Sequence, residues 1–159
     1  MTLHAVGTGL PVVASSLDPM ALKALGICTA ILFFKMFAIG LYQGLTRRKH
    51  HVYTVPEDAK LLSKEAPAEQ EHPDYLRACN AYRNDFENIP IFLGLAWATL
   101  HLHSADHLAP IYFAAFTFAR CAHTFCYLKA LQPWRTLAFA LGLTVNFALS
   151  IHILLTALR

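Results

Sequence analysis

The chain has 159 residues, enough for one domain. Hydrophobic residues make up 56% and charged residues 14%, against about 25% charged in soluble domains; this excludes an ordinary water-soluble globule and points to a membrane protein. The net charge of +3 lies in connections between apolar segments, which leaves no basic face for nucleic acid.

Nothing in the first 17 residues is Lys or Arg ahead of an apolar run, so no secretory signal peptide is expected. A first helix is expected over about 19–47, opening at the N-cap Asp18 with Pro19 in the first turn. Lys35 lies deep in its apolar run, and Gln43 and Arg47 share a side nearer its end. The connection over about 48–72 is polar and proline-bearing between Thr54 and Gln70, and reads as a surface loop.

A second helix is expected over about 73–101, and it carries the stretch NAYRNDFENIP at Asn80–Pro90. Its uninterrupted apolar run, Ile89 to Leu100, is about 18 Å long at 1.5 Å per residue, short of a bilayer core of about 30 Å. The helix spans only if its charged turns lie inside the protein, where ionised groups pair or mark a site. Asn80, Arg83, Asn84 and Glu87 are three and four residues apart, on one helical face. Arg83 and Glu87 are also spaced to pair with each other, and the opposing view is a capped helix end with snorkelling charges. Glu87 and Asp85 are alternative partners for Lys35. Pro90 leaves the Phe86 carbonyl unpaired and favours a kink.

A third helix is expected over about 109–130, with Arg120, His123 and Tyr127 on one face and Arg120 near mid-span, in need of a carboxylate or a bound anion. A fourth is expected over about 133–158, beginning QPWRT. Arg135 in its first turn opposes the helix dipole, so a stabilising sequence would avoid it. Together with the free backbone N–H groups it makes an anion site; the alternative role is a topological anchor. The fold class is thus all-α integral membrane, a four-transmembrane-helix up-down bundle. The basic connections carry Arg47, Arg48, Lys49, Lys60 and Lys64, then Lys129 and Arg135, which sets them on the cytoplasmic side and both termini on the other.

Cys28, Cys79, Cys121 and Cys126 form no C-x-x-C pair and read as buried free thiols. His101, His103 and His107 form H-x-H-x3-H, an adventitious metal patch at most; no resident metal or haem is expected. The pocket described by these charges suits a small anionic, water-soluble ligand.

At these residues the chain resembles the MAPEG family of membrane-associated proteins in eicosanoid and glutathione metabolism. RACNAYRNDFENIPIFL resembles its second-helix signature, and RCAHTFCYL followed by PWRT its third- and fourth-helix elements. Val55–Ala59 and Lys35-Met36 also match, so the likeness runs over about residues 30–136 and is nearest the prostaglandin-synthase and microsomal glutathione-transferase branches. It implies a homotrimer with glutathione, as cosubstrate, between subunits near the cytoplasmic side, and apolar electrophiles or lipid hydroperoxides arriving through the lipid. It further implies that Arg47, Arg83, Asn84, Glu87, His123 and Tyr127 contact glutathione, with Arg120 in the supporting network. Arg83 would hold a carboxylate and Glu87 the amino group. Arg135 would sit by the sulfur as activator, Thr136 would assist where relatives have serine, and Asp58 matches an acidic loop residue. Tyr82 and Asn80 depart from the histidine and arginine of the prostaglandin-synthase branch. A conjugating or peroxide-reducing enzyme is the leading expectation; an isomerase and a non-catalytic lipid-binding scaffold of the same fold are the alternatives.

Overall fold

The computed structural model describes residues 17–159. The expectation about a signal peptide falls almost wholly outside them. Four long helices form the body: α1 (Pro19–His50), α3 (Pro73–Leu102), α4 (Ala109–Leu128) and α5 (Trp134–Ala157). A one-turn helix α2 (Pro56–Asp58) and a π-helical turn Ala59–Ser63 lie between α1 and α3, and a 3-10 turn Asp106–Leu108 precedes α4. Among the described residues there is no strand.

The start of α1 is set by the Asp18 carboxylate, which accepts the Met20 N–H at 3.0 Å, with Pro19 in the first turn. Its end carries Arg47, Arg48 and Lys49, cations that complement the free carbonyls, and then His50. His51, in the left-handed region at φ 53°, then returns its N–H to Arg47 and stops the helix. α3 opens with His72, whose Nδ1 accepts the Asp74 N–H at 3.2 Å, and runs unbroken through Pro90 to His103, another left-handed cap. The starts of α1, α3 and α4 fall where the sequence placed them, and the other boundaries differ by one to three residues. The last basic turn prolongs α1 to His50, and the left-handed Ala130 (φ 56°) closes the α4–α5 turn early.

The connection 48–72 is more ordered than a plain surface loop. Pro56 starts α2 with two acids, Glu57 and Asp58, in its first turn, and Ala59 and Tyr53 are buried at 1% and 4% exposure. Ala68 N–H bonds the Tyr53 carbonyl at 2.8 Å, folding the segment back on itself. Short apolar anchors supplied what the polar composition obscured.

The core is aromatic. Phe92 of α3 stacks on Phe116 of α4 at 4.0 Å between centroids and meets Phe113 edge-on at 5.9 Å, all three fully buried. Leu25 and Leu32 of α1 and Leu149 of α5 pack around them. The outer surface is equally apolar: Phe33, Phe34, Phe37 and Leu41 of α1, Phe118 and Phe125 of α4, and Phe147, Ile151 and Leu154 of α5 are exposed. A chain with an apolar rind and buried ions is built for lipid or for other subunits, not for water. By length and composition alone, α1 and α5 are apolar enough to cross a membrane. The expectation of four such helices fails that test for α3 and α4, which carry the polar residues discussed next.

Candidate functional site

The centre of the polar interior is Asp85. On α3, residues 83 and 87 are separated from 85 by two steps of about 100°, so Asp85 points opposite to them. It turns into the bundle and is completely buried. Its carboxylate accepts from Lys35 Nζ of α1, from Arg120 Nε of α4 at 2.9 Å and from the Thr124 hydroxyl at 3.0 Å. Arg120, 1% exposed, spends its remaining Nη2 capacity on Asp85 and the Asn84 side-chain oxygen, and Nη2 also lies 3.4 Å from His123 Nδ1. Two cations thus share one carboxylate, and the buried cluster carries a net +1 before His123 is counted. The partner that Lys35 needed is Asp85, not Glu87.

Arg83 and Glu87 are a correction. The charged turns were expected to face the bundle interior, but both residues are exposed on the outward face of α3, as is Asn80. Among the described residues neither Arg83 nor Glu87 has an ion-pair partner, and they do not pair with each other. Arg83 instead borders a shallow cavity of about 370 Å³ with Gln43, Cys79, Tyr82 and Phe86. Asn84, half-buried between the two faces, joins inner network to outer surface through its bond from Arg120.

A chain of contacts continues from that network to the start of α5. His123 is buried and its ring lies 5.7 Å from that of Tyr127. Arg135 then places its guanidinium carbon 4.8 Å above the Tyr127 ring, a cation–π contact that offsets its poor position in the helix dipole. The Gln132 carboxamide faces both Arg135 and Thr136. With its oxygen toward the guanidinium it accepts at 2.6 and 3.2 Å and donates its nitrogen to the Thr136 hydroxyl at 3.0 Å. Arg77 reaches the Tyr127 carbonyl at 3.4 Å. Arg120, His123, Tyr127, Arg135 and Thr136 are therefore contiguous, and the half-exposed Arg135 is where that line meets the surface.

Arg47 and Asp58 form a separate group. Arg47 donates to both Glu71 oxygens, Nε at 3.2 Å, lies 3.9 Å from Asp58, and stacks 4.1 Å over the Tyr75 ring. Thr54 also donates to Glu71 at 2.7 Å. A cavity of about 600 Å³ opens between Gly44, Arg47, Arg48, His51, Tyr53 and Asp58. Within one protomer these residues do not join the Arg135 line.

Sequence reasoning passed over Asp85 as a site, and Glu71, Gln132 and Thr124 altogether. For Asp85 the signal was present, because it lies opposite Arg83 and Glu87 and, unlike Asp74 on the same side, sits mid-helix, where that side faces whatever α3 packs against. Glu71 and Gln132 lie outside the long helices, where no periodicity applies. The four cysteines are free, Cys28 and Cys126 buried and Cys79 and Cys121 partly so. Among the described residues one group of three potential ligands converges, His50, His72 and Asp74, and it does not involve His101, His103 or His107.

Comparison with known proteins agrees with this architecture. The model of the MAPEG family matches residues 25–155. Prostaglandin E synthase of Homo sapiens is 32% identical over 141 residues, covering 87% of this chain and 91% of its own length. The Bos taurus prostaglandin E synthase is 30% identical over 144 residues, with 90% and 94% covered. Microsomal glutathione S-transferase 1 of Rattus norvegicus is 32% identical over 144 residues, with 87% and 92% covered. With a family match over most of its length and relatives spanning nearly all of theirs, the chain belongs to the MAPEG family.

Proposed function

We propose that the protein is a glutathione-dependent membrane enzyme that activates the glutathione thiol against lipophilic electrophiles. The observation that carries the reading is Arg135: a half-exposed guanidinium at the N-terminus of α5, held on the Tyr127 face and beside the Thr136 hydroxyl. A free thiol has a pKa near 8.5 and is mostly protonated at neutral pH. Lowering that value by about two units needs roughly 2.7 kcal/mol of preference for the anion. A cation, a hydroxyl and the free N–H groups of a helix start, all at one surface point, are suited to that task.

The proton leaves to solvent when the thiolate forms. The thiolate sulfur then bonds to an electrophilic carbon, whose leaving group departs with the bonding pair, or it bonds to a peroxide oxygen as the O–O bond breaks, giving an alkoxide that takes a proton from solvent and a glutathione sulfenic acid that a second glutathione converts to disulfide and water. No protein cysteine takes part.

Four spans, cytoplasmic basic loops and a homotrimer belong to the same proposal. Its support is the outward, unpartnered Arg83 and Glu87, which are costly against lipid and sensible against a ligand held at a subunit boundary. Arg83 then takes a glutathione carboxylate and Glu87 the amino group, while Asn84, His123 and Tyr127 meet the ligand from the inner network, with Arg120 fixing Asn84 and His123. Arg47 and Asp58, remote from Arg135 in their own protomer, act from the neighbouring one. The relatives named prostaglandin E synthase favour a second reading, in which the same thiolate serves an isomerisation.

The test is a glutathione titration of the purified protein, wild type against Arg135→Ala, following thiolate absorbance in the ultraviolet. Thiolate formation at neutral pH, lost in the variant while binding persists, is the expected result. Equal thiolate signals in both would remove Arg135 from the role, and no binding in either would favour the lipid-binding scaffold.

A further inference from the structure

We propose that His50, His72 and Asp74 form a site for a divalent transition metal, with zinc the best match to its donors. The three side chains come from two separate elements, the last turn of α1 and the first residues of α3, and their ligand atoms lie within 4.8 Å of one another. His50 Nε2 and His72 Nδ1 are each 3.8 Å from the same Asp74 oxygen. Around a tetrahedral zinc with bonds of about 2.0–2.1 Å, neighbouring ligand atoms stand about 3.4 Å apart. The donors are therefore within about half an ångström to one and a half ångströms of a coordinating arrangement.

The imidazoles stack with centroids 3.5 Å apart and planes within 12°, so their in-plane lone pairs run nearly parallel, with a nitrogen of each 3.8 Å from the Asp74 carboxylate. Tilting the rings toward one another makes their lone pairs converge. His72 Nδ1 now serves as the α3 cap, accepting the Asp74 N–H, and coordination would transfer that lone pair to the metal. An N-cap bond is weak beside a metal–imidazole bond, so the exchange favours the metal. Two neutral imidazoles and one carboxylate are a borderline-soft set suited to zinc rather than calcium or magnesium.

The surroundings permit it. Among the described residues the Asp74 carboxylate has no lysine or arginine partner. The nearby Arg47 is instead committed to Glu71 and Asp58. All three ligands are partly exposed, so a metal can enter, and a water completes the fourth position. Bound there, the ion would pin the end of α1 to the start of α3 across the connection 51–72, and with it the adjoining Arg47–Glu71 pair. The inference stands apart from the thiol chemistry.

The test uses the full chain in detergent on a background in which His101, His103 and His107 are all changed to Gln, removing the competing histidine cluster. Zinc is titrated calorimetrically, and cobalt by its visible absorption. One metal ion per protomer is expected, weakened at least tenfold in His50→Gln and in His72→Asn. Asparagine keeps a capping oxygen for α3, so His72→Asn removes the imidazole without unmaking the helix start. Protease cleavage within 51–72 should also slow on adding zinc, and only where both histidines are present. Affinity unchanged in the two variants, or no stoichiometric binding in the background protein, would overturn the proposal.

Discussion

Asp85→Asn is the sharpest probe of the interior, because asparagine keeps nearly the same shape and one acceptor oxygen while removing the charge and turning the other oxygen into an amide donor. In the native structure the buried carboxylate answers both Lys35 and Arg120. Without it the cluster goes from +1 to +2, with both cations still enclosed. Breaking a single buried pair by deleting one partner costs about 3–5 kcal/mol; at about 2–4 °C per kcal/mol for a chain of this size, the unfolding temperature should fall by about 6–20 °C. Lys35→Met alone should cost far less, because it leaves Asp85 with Arg120 as a neutral, hydrogen-bonded pair. The double variant Asp85→Asn/Lys35→Met restores the net charge to +1 and should be more stable than Asp85→Asn by itself. Thermal unfolding in nanodiscs, read by tryptophan fluorescence from Trp97 and Trp134, measures all four proteins as one cycle. Additive costs, or an Asp85→Asn protein within about 1 kcal/mol of wild type, would refute the shared-carboxylate account.

Arg83→Gln and Glu87→Gln should each weaken glutathione binding by about tenfold or more, as expected for loss of a charged hydrogen bond of about 1.5–3 kcal/mol; titration calorimetry measures it. The same two variants should leave the unfolding temperature of the isolated protomer nearly unchanged, since neither residue has an intrachain ion pair to lose. Phe92→Ala removes the ring stacked on Phe116 and should destabilise by about 3–5 kcal/mol in the same unfolding assay. At Gly142 an added Cβ would meet Arg120 Cδ at 3.7 Å and Phe116 at 3.8 Å, ordinary contact distances. Gly142→Ala should therefore be tolerated and gain up to about 1 kcal/mol of helix preference. Gly142→Leu, whose further atoms must enter the space of the Arg120 stem, should lower the unfolding temperature.

How much of this was legible in sequence depended on whether periodicity carried the information. The four long helices were readable because caps, prolines and apolar runs agreed at Asp18-Pro19, His72-Pro73 and Pro110. Arg120, His123 and Tyr127 were readable as a face because three- and four-residue spacing survives in any helix. Inside and outside were harder. The assumption that every charge on α3 turns inward is right for Asp85 and wrong for Arg83 and Glu87, since a helix of this apolar protein has two faces that need polar groups. Long-range partners could be narrowed but not fixed: for Lys35 the pattern left Asp85, 50 residues away, and Glu87 open, and it did not reach Glu71, 24 residues from Arg47. The stacked His50 and His72 were invisible for the same reason, one ending a helix and the other capping the next.

The order in which the interior ions are synthesised has a consequence for biogenesis. Lys35 is made first, Asp85 follows 50 residues later, and Arg120 another 35 after that. The growing interior thus passes from one unmatched cation, to a neutral lysine–aspartate pair, to the final +1. The middle stage is the least costly of the three for a water-poor compartment. On charge alone, the α1–α3 hairpin is the stage with the fewest unmatched ions, and α4 completes it by delivering Arg120. A chain halted before α3 would leave Lys35 with no counter-ion, a local defect that a cell's degradation machinery could read as an orphan helix.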